Sequence, residues 1–126
     1  MSATAFFAPQ LIIQDGVAGI EFYKKAFDSA GGVMMMALYM YLNYHSRGAM
    51  FHIKQESVKQ SRLSPATARG YTTIIGIFVN DVDAIVKKAI EQGATLLNAA
   101  QDYEYGYRQA NIKDPFGHEW LIEKKI

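Results

Sequence analysis

The side chains able to do chemistry fall into three groups, and their spacing narrows what that chemistry is. The 126-residue chain has three histidines, His45, His52 and His118, and no cysteine. Without a thiol there are no disulfides, no thiolate metal sites and no thiol nucleophile. No His-x-His, His-x3-His or His/Glu pair on one strand face occurs, so the common metal-ligand spacings are missing. His45 falls in turn sequence and His118 beside another turn, so both are expected wet at strand ends. His52 lies between Phe51 and Ile53 and faces away from both. The second group repeats at period two. Tyr39, Tyr41 and Asn43 alternate with Leu38, Met40 and Leu42, while Tyr107, Gln109 and Asn111 alternate with Arg108, Ala110 and Ile112. Each set shares one face of a strand. The third group is acidic, Glu119 and Glu123, flanking Leu121. Tyrosine rings with amides and carboxylates suit the binding of a flat, partly polar organic molecule. The same tyrosines equally fit cross-strand pairs or a dimer seam, and the two glutamates fit solvated edge charges. Arg108, on the opposite parity to Tyr107, fits a carboxylate partner, the chain end or a ligand. Met34, Met35 and Met36 read as adaptable packing rather than a copper site.

These residues need elements to hold them. Asp114-Pro115-Phe116-Gly117 is turn chemistry: Pro115 presets φ, Asp114 hydrogen-bonds the backbone ahead, and Gly117 tolerates positive φ. Ala110 and Ile112 lead in, Trp120 and Ile122 lead out, and polar residues alternate with them. The pattern predicts an antiparallel hairpin with one dry face and one polar face. Upstream, residues 10–14 form a β-branched run ending at Asp15, a helix N-cap, and the following helix carries Ile20, Tyr23 and Phe27 on one face. After Gly31-Gly32 come residues 33–44 and a return strand over 49–54. Residues 57–70 are polar and aperiodic and read as a surface connection. The order then repeats. Residues 72–79 form a strand, Asp81 caps a helix with the stripe Val82, Ile85, Ala89 and Ile90, and Gly93 closes it. A strand over 94–98 and residues 102–113 lead to the hairpin. Tyr23-Lys24-Lys25-Ala26-Phe27 echoes Val86-Lys87-Lys88-Ala89-Ile90. The expected fold is α+β, a single domain of two tandem βαβββ modules: about 5–56, a linker over about 57–70, and about 71–126.

Composition sets the outer bounds. The length suits one compact domain, half the residues are hydrophobic, and the net charge is +1. A near-neutral chain has no electrostatic footprint for nucleic acid or an anionic membrane, so neither is an expected partner. The first nine residues lack a basic n-region, and no apolar run approaches a membrane span. The expectation is a cytoplasmic protein.

The helix Ile20-Glu21-Phe22-Tyr23-Lys24-Lys25-Ala26-Phe27, the run Asp81-Val82-Asp83-Ala84-Ile85, Gln92-Gly93-Ala94 and above all Asp114-Pro115-Phe116-Gly117-His118-Glu119-Trp120 resemble the vicinal oxygen chelate superfamily. That group holds glyoxalase I, bleomycin-resistance proteins, fosfomycin-resistance enzymes and extradiol dioxygenases. Tyr105-Gly106-Tyr107-Arg108 with the closing motif is most similar to its phosphonate-operon-type, glyoxalase-like subgroup. The resemblance implies two βαβββ modules with curled mixed sheets around a shared cavity, usually in a homodimer. It also implies a divalent metal on four residues facing that cavity. Seven residues before each helix-capping Asp stand Ala8 and Ile74, and seven after the Asp of the turn stands Leu121; His52 is the best match for the fourth position. Three of the four have no lone pair to give, so the usual metal centre is expected to be absent.

With Ala8 setting the parity of the first strand, Gln10 and Ile12 join the cavity. The expected ligand-binding set is Gln10, Tyr39, Tyr41, His52, Tyr105, Tyr107, Gln109, Asn111, Glu119 and Leu121, over an apolar floor of Ile74 and Leu121. The reading is a protein that binds a small, planar organic molecule without a cofactor, as a homodimer. One alternative is a lyase, isomerase or dioxygenase with a divalent metal on a non-standard site, with Glu119 and His52 as candidates for the proton step. Another is a structural or regulatory dimer with a vestigial cavity.

Overall fold

The computed structural model describes residues 5, 7–27, 33–36, 39–42 and 49–126, with residues 33–36, 39–42, 49 and 50 taken as backbone. Asp15 and Asp81 each start a helix as their side chains dictate. The Asp15 carboxylate accepts from the N–H groups of Val17 and Ala18 at 3.0 and 3.2 Å, and Asp81 accepts from Ala84 at 3.0 Å. The chain runs β1 (Gln10–Ile13), α1 (Gly16–Ala26), β2 (Val33–Met36), β3 (Tyr39–Leu42) and β4 (Ala49–Gln55). A 3-10 turn (Val58–Gln60) and the short α2 (Pro65–Ala68) follow. The order then repeats with β5 (Ile74–Phe78), α3 (Val82–Glu91), β6 (Thr95–Tyr103), β7 (Tyr107–Lys113) and β8 (Glu119–Lys125).

Two four-stranded sheets result, ordered β1-β4-β3-β2 and β5-β8-β7-β6. In each, the first strand pairs in parallel with the last, and the other pairs are antiparallel. One core joins both halves. Leu11, Ile13, Phe51 and Ile53 come from the first sheet, Ile77, Ala110, Ile112, Trp120 and Ile122 from the second, with the buried faces of α1 and α3. At its centre Tyr23 meets Phe51 and Trp120 with ring centroids 5.4 and 5.8 Å apart, so an α1 side chain touches both sheets. No helix among the described residues is long and apolar enough to cross a membrane.

Several elements differ from expectation. The α3 stripe is Val82, Ile85, Val86 and Ala89, whereas Ile90 is 41% exposed. At 100° per residue Ile90 rotates past the edge of the face that Val86 holds. Strand β6 extends through Tyr103, past register shifts on either side of Asn98. These bulges hide the strand from a period-two reading. The connection over 57–70 is ordered by its own polar groups. Buried Ser64 caps α2, accepting from Thr67 N–H at 3.2 Å, while Glu56 accepts from Ser64 N–H at 3.0 Å and from the Thr67 hydroxyl at 2.8 Å. Serine and threonine that bond locally leave no hydrophobic period to read.

Candidate ligand-binding face

Strand register sets the site. Because β5, β8, β7 and β6 lie side by side, residues fall on cross-strand rungs. Ile74, Glu119, Lys113 and Thr95 form one; Gly76, Leu121, Asn111 and Asn98 the next; Phe78, Glu123, Gln109 and Gln101 the third; Lys125, Tyr107 and Tyr103 the last. Alternation turns these residues away from the core, whose dry side takes Ile77, Ala110, Ile112, Trp120 and Ile122. Ile74 and Phe78 are 52% and 56% exposed, and Tyr105 in the β6–β7 turn is 63% exposed.

The polar groups on this face hold one another. Glu119 accepts from the Tyr71 hydroxyl and from Asn111 Nδ2 at 2.9 Å. The Tyr105 hydroxyl donates to Gln109 Oε1, and Gln109 Nε2 donates to Glu123 Oε1 at 2.8 Å. Asn98 Nδ2 reaches Asn111 Oδ1 at 3.4 Å. The hydrogen bond to Glu119 raises the pKa of Tyr71; desolvation, with the fields of Tyr103 and Glu123, raises that of Tyr105. Both phenols therefore act as neutral donors at physiological pH. Tyr103 and Tyr105 stack at 5.2 Å, Tyr105 and Tyr107 meet edge-on at 5.8 Å, and Phe78 meets Tyr107 edge-on at 6.0 Å.

Thus Tyr105, Tyr107, Gln109, Asn111, Glu119 and Leu121 come together on one face. In the other sheet Gln10, His52 and Tyr39 share a rung, and Tyr41 pairs with Met50 one step along β3 from Met40 and Phe51. The side chains of Tyr39 and Tyr41, and all of Leu38, Asn43 and His45, lie outside the described residues. Glu119 and His52 stand in different sheets. Sequence reasoning missed Tyr71, Phe78 and Tyr103. Phe78 was within reach by counting in twos from Ile74; Tyr71 precedes its strand and is placed by its bond to Glu119 and by Lys113 over its ring.

Arg108 lies on the dry side and clamps β7 to α3. Its Nε and Nη2 donate to Asp83 at 3.0 and 2.8 Å, and its Nη1 to Asp102 at 3.0 Å. This bidentate pair holds the Asp83 pKa below the usual carboxylate range and raises that of Arg108. His118 is not a free surface residue. Its ring is half-buried, and Nε2 lies 2.8 Å from the Ile12 carbonyl, which can only accept, so Nε2 carries the proton. Nothing in the sequence near His118 signals that β1 passes beside it.

The resemblance implies a metal at Ala8, His52, Ile74 and Leu121, and the residues do not fit one. Ile74 and Leu121 stand on adjacent strands one rung apart, offering alkyl groups where donors are required. Among the described residues no three His, Asp or Glu side chains gather as a metal site. Beside the face, a cleft of about 460 Å³ runs between the starts of β1 and β5, lined by Gln10, Leu63, Tyr71, Thr73, Ile75 and His118 among others. Tyr71 borders both.

Comparison with known proteins accords with this architecture. The family profile described as Glyoxalase/Bleomycin resistance protein/Dioxygenase superfamily matches residues 7–122. An uncharacterised protein of Mycobacterium bovis is 29% identical over 128 residues, covering 94% of this chain and 82% of that protein. A glyoxalase/bleomycin resistance protein from Albidiferax ferrireducens superposes with a TM-score of 0.68 at 15% identity, covering 96% of this chain and 98% of that one. TioX from Micromonospora gives 0.65 at 19% identity, with 97% of each chain covered. At such identities the structures speak for the fold alone, while the profile match spans nearly the whole chain. The chain belongs to the glyoxalase/bleomycin resistance protein/dioxygenase superfamily.

Proposed function

We propose that this protein binds a small, flat, partly polar organic molecule on the open face of its second sheet. The observation that carries the reading is the set of Tyr103, Tyr105 and Tyr107 rings beside hydrogen-bonded Gln109, Asn111, Glu119 and Glu123. Rings supply stacking area, and amides and carboxylates already fixed by their neighbours lose little freedom when a ligand arrives. Gln10, Tyr39, Tyr41 and His52 belong to the same reading as the first sheet's contribution. Within the superfamily we place the chain with the phosphonate-operon-type, glyoxalase-like proteins, on Tyr105-Gly106-Tyr107-Arg108 and residues 114–120.

The test is titration of the full chain with planar heteroaromatic compounds, bleomycin among them, followed by calorimetry and tyrosine emission. At least one should bind saturably, and Tyr107→Ala should weaken it about tenfold, the worth of a lost aromatic contact of about 1.4 kcal/mol. Trp120, 1% exposed on the dry side, should report folding and stay indifferent to ligand. A folded sample that binds none of the compounds would sink the proposal.

A further inference from the structure

The two ends of the open face are built alike, and among the described residues only the Glu119 end has a lysine over its ring. At the Glu119 end a carboxylate adjoins a tyrosine ring, and the Lys113 ammonium sits 5.5 Å from the centroid of that Tyr71 ring. A lysine there gains from the ring's quadrupole, and Glu119 is its register partner on β8. At the other end Glu123 has Phe78 and Gln109 as its register neighbours, with Phe78 edge-on to Tyr107 and Tyr107 edge-on to Tyr105. Carboxylate and rings are again side by side, and, as at Glu119, no ion pair among the described residues involves the carboxylate. The difference is that no lysine or arginine among those residues lies over the Phe78 or Tyr107 ring. Lys125, the next residue on that face, is exposed.

Glu123 is also the more buried of the two groups, only 8% exposed. Among the described residues its side chain has one hydrogen-bond donor, the neutral Gln109 amide. A buried carboxylate is disfavoured unless its charge is met by an opposite one, and an amide supplies a dipole rather than a charge. Beside it β5 carries Gly76. A Cβ at that position would stand 3.0 Å from Glu123 Oε2, so the residue that leaves this oxygen room is the one without a side chain.

We infer that the Glu123 end of the face is a subsite for an organic cation, its charge held between the Glu123 carboxylate and the Phe78 and Tyr107 rings. This rests on the planar-ligand reading and adds the ligand's charge: a heteroaromatic or aryl compound with a quaternary or protonated nitrogen. The uncharged part lies along Tyr103 and Tyr105, and the cationic centre takes the place that Lys113 fills at the other end.

The experiment compares two probes of one shape on the full chain, N-methylquinolinium and uncharged quinoline, at a pH where quinoline is unprotonated. Calorimetric titration should show saturable binding with about a tenfold preference for the cation, the scale of a partly desolvated cation–π contact. Added salt should erode that preference. Glu123→Gln keeps an acceptor for Gln109 and should abolish it. Phe78→Ala, at an exposed position, should reduce it severalfold without disturbing the fold, and it decides the question alone if Glu123→Gln does not fold. Equal affinity for the two probes, or a preference that survives either change in folded protein, overturns the cation subsite. Equal binding of both leaves the planar-ligand reading standing, whereas binding of neither removes both.

Discussion

At Asp114 one carboxylate answers four donors. Oδ1 accepts from the N–H groups of Phe116 and His118 at 2.9 and 3.0 Å, while Oδ2 takes Trp120 Nε1 at 2.9 Å and the Tyr23 hydroxyl. The first pair makes the turn; the second ties it to two buried rings from opposite halves of the chain. Burial, followed by the field and hydrogen bond of Asp114, raises the Tyr23 pKa well above its ordinary value. For an acid whose folded pKa is raised, the stabilisation is complete below the unfolded value and is lost as pH rises towards the folded one. Tyr23 should therefore contribute fully below about pH 10 and progressively less above it. Tyr23→Phe should cost about 1–3 kcal/mol at neutral pH, because Asp114 loses a buried donor. The same change should remove this share of the alkaline loss in urea denaturation. An unchanged alkaline slope in the variant would show that Tyr23 does not carry it.

The closing hairpin is the element where sequence reading worked best. Its turn residues, its register and the split between Trp120 and Ile122 on one side and Glu119 and Leu121 on the other follow from period two and turn chemistry. What the hairpin is fastened to is another matter. Gly117 has φ +95°, and a Cβ there would stand 2.8 Å from Pro65 Cβ in the connection between the halves. Gly117→Ala should thus cost about 1–3 kcal/mol through backbone strain and displacement of α2, seen as a lowered melting temperature. A melting temperature equal to that of the parent would mean the turn relaxes freely. The glycine requirement was legible from the turn motif; the contact with α2 was not, because residues 57–70 carry no period that predicts where they pack.

For the whole molecule the decisive fact is a core shared by both halves. Trp120 lies 4.8 Å from Phe27 and 5.7 Å from Phe51 between ring centroids, and His118 bonds the Ile12 carbonyl. The halves should therefore unfold together: Trp120 emission and far-UV circular dichroism should give one coincident transition. Trp120→Ala should lower stability by about 3–5 kcal/mol, the usual cost of deleting a buried aromatic side chain. Two separate transitions in the parent protein would contradict the shared core. The sequence by itself determined the repeat, both helix caps, the closing turn and which side of β7 and β8 is dry, since these depend on local periodicity and turn chemistry. Only the tertiary structure decided that Tyr23 and His118 fasten one half to the other, that Arg108 is committed to Asp83, and that Glu123 lies beside Phe78 and Gly76. Each of these joins residues far apart in the chain, and no local pattern encodes which strand a side chain will meet.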